Sequence, residues 1–199
     1  ADHRDNMYEN GRLHCIIPSG GWGSDIVDWT CSVTLIPWAI YEFYGDQTCL
    51  RDNYTEMKRH TDYWLSKFPD GLVGDAGLGD WVPHKAVANR ELSASIYHYK
   101  NADIMSRTAK LFGYEEEYKY YKTEAEKIKA AINNKYLNKE TGIYASGYQT
   151  EQSMPLYWGI VPEELKAKVE ERLSERVHMD KDHLDFGIMG CKLSLINIS

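Results

Sequence analysis

Residues 70–84 read Asp-Gly-Leu-Val-Gly-Asp-Ala-Gly-Leu-Gly-Asp-Trp-Val-Pro-His, a run that concentrates Asp70, Asp75, Asp80, Trp81 and His84. A carboxylate beside an indole suits a sugar, because the carboxylate accepts hydroxyl protons and the indole covers the apolar ring face. His84 adds a donor for a hydroxyl; a loop histidine packed on Pro83 is the alternative. Gly71, Gly74, Gly77 and Gly79 let the backbone turn. A connection this long without regular structure is more often functional than passive in a compact domain. The plain alternative is a flexible, solvated loop. A calcium loop of the EF-hand kind fails, since counting from Asp70 the sixth position is Asp75 rather than Gly and the twelfth is Trp81 rather than Glu. Gly74-x-x-Gly77 lacks the Lys-Ser/Thr of a phosphate loop.

Further carboxylates fall in the other turn-rich segments. Asp25 and Asp28 follow Gly-Gly-Trp-Gly-Ser, where either can serve as the N-cap of the next helix. Gln149 and Glu151 stand at the start of a later helix on the same rim, where Thr150 with Gln152 or Ser153 nearby offers plain capping chemistry instead. The catalytic residues are not assigned from these residues; Asp25, Asp28, Asp75, Asp80 and Glu151 are the fallback carboxylates to test first should this stretch alone be active. His183 and Asp185 are expected to hold their loop to the last helix.

The elements that must position these groups read as helices. Val33, Ile36, Ala39, Ile40 and Phe43 recur at helical spacing over 29–44, with Pro37 expected to kink the pattern. Gly45 closes that helix, and a second over 47–68 turns Leu50, Tyr54, Met57, His60, Tyr63 and Trp64 inward. After the glycine-rich loop, Leu92, Ile96, Tyr99, Ala102, Ile104, Met105 and Ala109 stripe a third helix ending at Gly113. A fourth over 115–136 buries Ala125, Ile128, Ala131 and Ile132 and carries a Glu115–Lys119 pair on a solvated face. A turn-rich stretch follows, then a short helix over 150–158, a helix opened by Pro162 that runs to Arg176, and an apolar helix from Phe186. No strand pattern of consequence appears. The hairpins recur with short links on one side and long loops on the other, so the loops rich in Trp, Asp, Gly and His gather on one rim. The fold class is all-α: helical hairpins forming part of an (α/α)6 barrel.

Composition narrows the function. A formal charge of −7 without a basic face argues against nucleic acid, and no apolar run reaches the ~18 residues of a membrane span. Cys15, Cys31, Cys49 and Cys191 are scattered, with no zinc-ligand spacing, and Cys31 and Cys49 read as small buried hydrophobes. Aromatic residues make up 13%, with six Trp and fifteen Tyr, which suits a carbohydrate-lined cleft. The opening on Ala1 and the stop at Ser199 inside an apolar pattern read as cut ends.

Gly21-Trp22-Gly23-Ser24-Asp25, Ile36-Pro37-Trp38-Ala39-Ile40-Tyr41 and Tyr44-Gly45-Asp46 resemble the catalytic domain of glycoside hydrolase family 78, the α-L-rhamnosidases. The likeness continues in the family's order through Leu78-Gly79-Asp80-Trp81, Gln149-Thr150, Gly159-Ile160-Val161-Pro162 and His183-Leu184-Asp185-Phe186-Gly187-Ile188. The resemblance implies a barrel of twelve helices that cleaves terminal α-L-rhamnose with inversion, one carboxylic acid protonating the leaving oxygen and one carboxylate activating water. It implies no metal or organic cofactor, and it favours a periplasmic or extracellular setting. Trp22 and Trp81 match tryptophans that pack against rhamnose, and Asp80 matches a rim aspartate that binds a hydroxyl or orients Trp81. The family's general acid lies in an Asp-Cys-Pro-x-Arg type segment, which is absent here, and its general base lies beyond the His-Leu-Asp helix. The expectation is a partial barrel over 1–199, truncated at both ends. It supplies sugar-binding residues Trp22, Asp80, Trp81 and His84, needs the missing barrel segments of the full-length chain, and is inactive alone. The expected partner is a rhamnose-containing oligosaccharide or glycoside. Two other readings stand beside it: a noncatalytic helical carbohydrate-binding or interaction module, and another inverting glycosidase on the same toroid that uses Asp75 and Asp80.

Overall fold

The computed structural model describes residues 2–18, 23 and 25–198, with side chains as far as residue 194. A one-turn helix α1 (Asp2–Asp5) leads to α2 (Val27–Thr30) and α3 (Ser32–Tyr44), which pairs with α4 (Thr48–Lys67). The second hairpin is α5 (Arg90–Phe112) and α6 (Glu115–Tyr136). A two-residue ladder, β1 (Leu137–Asn138) on β2 (Ile143–Tyr144), pairs Leu137 with Tyr144 and Asn138 with Ile143 in antiparallel register. The third hairpin joins α7 (Gln149–Tyr157) through a 3-10 turn (Glu163–Leu165) to α8 (Lys166–Met179), and α9 (Ile188–Ile198) closes the described chain.

The packing sorts these helices into two layers. α3, α5, α7 and α9 follow one another as neighbours, α3 on α5, α5 on α7 and α7 on α9, while α4, α6 and α8 each back onto the partner in their own hairpin. This is the inner-and-outer arrangement of an (α/α) barrel segment. α5 is its pivot, with Leu92, Ala94, Ile96, Ala102, Ile104, Met105 and Ala109 all out of solvent. Ile128 and Ile132 of α6, Leu50 and Met57 of α4 and Met154 of α7 join the same core. Trp64, Val27, Val73 and Ala94 form a second cluster that anchors the glycine-rich loop from below. That loop is therefore not freely solvated: Val73 is fully buried and its amide bonds to the Ser95 hydroxyl at 3.0 Å.

Several local expectations need correction. In α3 the apolar stripe is rotated: Ile36 and Phe43 are 51% and 76% exposed, and the buried face is Val33, Thr34, Pro37 and Trp38. Isoleucine and phenylalanine at helical spacing gave the wrong face because threonine and proline, which do not score as apolar, carry the packing. Neither Asp25 nor Asp28 caps a helix: Ile26 holds the N-cap position of α2 without a side-chain bond, and both carboxylates are drawn to more distant partners. Pro162 precedes a 3-10 turn rather than opening the helix, which starts at Lys166 and runs on to Met179. Lys119 pairs with Glu116 at 3.2 Å rather than with Glu115. Asp185 ties its loop to Lys85 and Ala86, not to the last helix.

Candidate functional site

Every rim group sits at the N-terminal end of an inner helix or in the loop leading to it. Asp28 lies in the first turn of α2, Trp81 in the approach to α5, Glu151 in the first turn of α7, and Gly187 just before α9. N-terminal ends carry free backbone N–H groups and the positive end of the helix dipole. Carboxylates placed there find donors at once: Asp80 and Glu151 are used in that way, whereas Asp28 accepts from the amides of a loop.

Asp80 is the most heavily engaged. It is buried, and one oxygen accepts from Thr150 Oγ1 at 2.5 Å and Gly187 N at 2.7 Å. The other accepts from Met189 N at 2.8 Å and Gly190 N at 3.0 Å. Since an ionised carboxylate has about four acceptor sites, Asp80 is filled by the protein and serves as a remote cap for α9. Gly187 and Gly190 make room for it. A Cβ at Gly187 would lie 2.3 Å from the Trp81 carbonyl oxygen, and one at Gly190 would lie 2.3 Å from Thr150 Oγ1. The Trp81 carbonyl in turn accepts from Ile188 N at 2.9 Å.

Glu151 is also buried and accepts from Asn89 N at 2.8 Å, Ser146 N at 2.9 Å and Tyr148 N at 3.0 Å, the last closing a capping box. Burial raises its pKa, and these amides act against that rise. Gln149 beside it donates to Asp180 Oδ2 and to the His183 carbonyl, both at 2.9 Å.

Asp28 is buried and accepts from Gly79 N at 2.9 Å and Leu78 N at 3.2 Å. Burial pushes its carboxyl up to about 6 against the pull of those two amides. Asp25, in left-handed backbone, accepts from the Tyr63 hydroxyl and pairs with Lys67 Nζ at 3.0 Å. Burial would raise its pKa, but the Tyr63 and Lys67 bonds hold it below the usual carboxylate value. Asp75 is largely exposed and paired with Arg90.

These elements enclose a cleft of about 860 Å³ along the inner helices. Of the carboxylates anticipated from sequence, Asp28 alone lines it, together with Trp81 at the lip. Trp81 is 48% exposed, and the next residue, Val82, has φ +59°. A β-branched residue there is a genuine outlier, of the kind that clusters at ligand sites. His84 lies exposed outside the cleft lining, and Trp22 falls outside the described residues. Sequence reasoning missed Trp38, Glu42, Tyr97, Lys100, Tyr157 and Trp158 as cleft residues. Tyr97 and Trp158 meet edge to face at 4.9 Å. Tyr97 and Lys100 stand three apart beside the core stripe of α5, so a second, polar-aromatic stripe on a helix buried all round was the available signal.

Among the described residues no group of three His, Cys, Asp or Glu side chains is placed to hold a metal, and no helix is long and apolar enough to cross a membrane. All four cysteines are free thiols.

The family model described as the bacterial alpha-L-rhamnosidase 6 hairpin glycosidase domain matches residues 1–198. The chain belongs to this family. An alpha-L-rhamnosidase of Formosa agariphila is 24% identical over 205 residues, which take in 96% of this chain and 21% of the relative. The solved alpha-L-rhamnosidase of Dictyoglumus thermophilum superposes with a TM-score of 0.90 at 33% identity, over 99% of this chain and 23% of that one. That of Streptomyces avermitilis, solved with L-rhamnose, gives 0.92 at 26% identity, over 99% and 19%. The chain thus spans about a fifth of the length of the curated rhamnosidases it matches. Their agreement with the inner-and-outer helix order places the rim described here within a six-hairpin glycosidase domain.

Proposed function

We propose that these residues are part of an α-L-rhamnosidase that hydrolyses terminal α-L-rhamnosides with inversion, and that they contribute a wall of the sugar site rather than the catalytic pair. The observation that carries this is Trp81: a half-exposed indole at the lip of the cleft, its backbone tied on one side through Gly79 to Asp28 and on the other to α9. Such a ring, carried on an anchored backbone and half in solvent, suits stacking on a sugar. Asp80 orients Trp81 in this reading and does not touch the sugar, because its acceptor sites are taken.

Carboxylate geometry supports the second half. Inverting enzymes set acid and base ~6.5–9.5 Å apart. The two carboxyl groups that line the cleft, Asp28 and Glu42, stand at either end of the nearly continuous α2–α3 segment. At the helical rise per residue their backbones are about 20 Å apart. Asp25, Asp75, Asp80 and Glu151 lie outside the cleft lining, bound to other groups. The acid and base are therefore assigned to other segments of the full-length enzyme, and this portion alone is inactive.

The test is hydrolysis of nitrophenyl α-L-rhamnopyranoside by the full-length enzyme, its Trp81→Ala variant and residues 1–199 alone. Turnover by the parent, a raised KM in the variant and none in the isolated residues is the expected pattern. A full-length enzyme that ignores this substrate but cleaves another glycoside would overturn the assignment, as would activity in the isolated residues.

A further inference from the structure

Asp28 is a buried acid inside the cleft that the reading above leaves without a task. Its two oxygens reach across fifty residues of sequence to the amides of Leu78 and Gly79, the two positions before Asp80-Trp81. The fit is tight. A Cβ at Gly77 would stand 2.9 Å from Asp28 Oδ2 and 3.0 Å from Ala94 Cβ, so the loop passes between the carboxylate and α5 only because that position is glycine. Gly79 then turns the chain with φ +72°. Beyond Trp81 the backbone is held by Ile188 N. The indole therefore stands between two anchors, and Asp28 is the one made by a side chain.

We propose that Asp28 is a positioning residue for sugar recognition: by accepting the Leu78 and Gly79 amides it sets the turn that presents Trp81 to rhamnose. The inference rests on the assignment of Trp81 to the sugar site. It makes Asp28 neither acid nor base; its effect on substrate passes through the loop.

The arrangement also makes recognition sensitive to pH. Only the ionised carboxylate offers an acceptor on both oxygens; the protonated form turns one of them into a donor facing an N–H. The charged and titratable groups around Asp28 are Cys15, Cys31, Tyr97 and Arg90. Burial holds both thiols and the Tyr97 phenol above their ordinary values, so they stay neutral, and Arg90 is paired with Asp75. Asp28, with its carboxyl near 6, is then the member of this group that changes charge in mildly acid solution.

The experiment is a double-mutant cycle in the full-length enzyme, read as the dissociation constant for L-rhamnose by calorimetry between pH 5 and 7.5. Asp28→Asn places an amide N–H against one of the two loop amides and is expected to weaken binding about tenfold at neutral pH, the scale of one charged hydrogen bond lost. In a Trp81→Ala background the same change is expected to do nothing more. The parent's affinity falls below about pH 6, and the Asp28→Asn variant loses that dependence. Gly77→Ala, which crowds the carboxylate while leaving it in place, carries the same cycle if Asp28→Asn does not fold. Additive effects of Asp28→Asn and Trp81→Ala overturn the inference, because Asp28 would then act apart from the indole. So does unchanged binding in Asp28→Asn beside weakened binding in Trp81→Ala, a result that leaves the rhamnosidase reading standing. Unchanged binding in Trp81→Ala would instead strike the sugar-site assignment itself.

Discussion

Replacing Asp80 tests the architecture of the rim most directly. The Asp80→Ala change leaves the amides of Gly187, Met189 and Gly190 without their acceptor at the buried start of α9. An orphaned buried donor costs about 1–3 kcal/mol. Water entering the vacated space satisfies part of the demand, so the expected loss is about 3–5 kcal/mol. The Thr150 hydroxyl can rotate and adds little. Asp80→Asn keeps the volume and one oxygen: facing Met189 and Gly190 it preserves two bonds, but its amide nitrogen then opposes Gly187 N. Its cost is about 1–3 kcal/mol, again the value of one unsatisfied group. At about 2–4 °C per kcal/mol for a domain of roughly 150–250 residues, Asp80→Ala lowers the melting temperature on the order of 10 °C and Asp80→Asn by about half that or less. The assay is scanning calorimetry of the full-length enzyme with both variants and Thr150→Ala as a reference expected to lose about 1 kcal/mol. A folded Asp80→Ala protein melting within 2 °C or so of the parent would refute the reading of Asp80 as the pin of α9. An Asp80→Asn variant with unchanged stability but no sugar binding would show instead that the carboxylate meets substrate.

Other outcomes follow from the same geometry. Glu151→Gln should keep kcat within a few-fold while lowering thermal stability, whereas loss of a general acid or base would reduce turnover by about 10²–10⁴; a loss on that scale in a folded variant would return Glu151 to the catalytic candidates. Gly187→Ala drives a methyl toward the Trp81 and Asp80 carbonyls, 2.3 and 2.7 Å from the new carbon; unfolding should become easier by about 1–3 kcal/mol, as overpacking generally costs. Asp28 contributes a stability dependence of definite sign: its folded carboxyl lies near 6 against an ordinary value of 3.8, so the folded state binds the proton more tightly and gains at low pH. That gain is lost as pH rises from about 4 to about 6, and a two-unit shift is worth about 3 kcal/mol. Unfolding free energies of parent and Asp28→Asn, measured at pH 4 and pH 7, should therefore diverge in the variant's favour on going to pH 7; a constant difference would contradict the buried acid.

The helices were legible because their apolar residues are local. The stripe of Ala125, Ile128 and Ile132 located α6 over its full length, Glu115–Tyr136, and Leu50, Met57 and Trp64 located α4. α3 misled because an inner helix of a barrel is contacted on several sides, and residue type alone could not say that Ile36 would face outward while Thr34 packed inside. The rim was legible as composition and not as connection. Asp80 and Trp81 stood out by type, but the donors that fill Asp80 come from Thr150 and from Gly187 to Gly190, seventy or more residues away. The one trace of that long-range contact in the sequence is Gly187-x-x-Gly190 at a helix start, where helix propensity would have preferred larger residues. Asp28 and Glu151 were likewise visible as carboxylates near helix starts, yet both Asp28 amides and one of the three that Glu151 accepts from, Asn89 N, belong to the loop between other helices.

The Asp185 carboxylate, which accepts from Lys85 N at 2.8 Å and Ala86 N at 3.1 Å, sets where this rim can tolerate insertions. Before Trp81 the loop is stitched to Asp28, and from Lys85 onward it is stitched to Asp185. The intervening bridge, Val82 to His84, is exposed at Val82 and His84. Extra residues spliced there would leave both sets of stitches intact, directly after the indole in the chain. Lengthening the loop anywhere from Val73 to Gly79 would instead pull on the Ser95 and Asp28 bonds and shift the ring. On the proposed assignment of Trp81 to a sugar site, a library of inserts confined to Val82–His84 is the natural starting material for altering which group follows the terminal sugar.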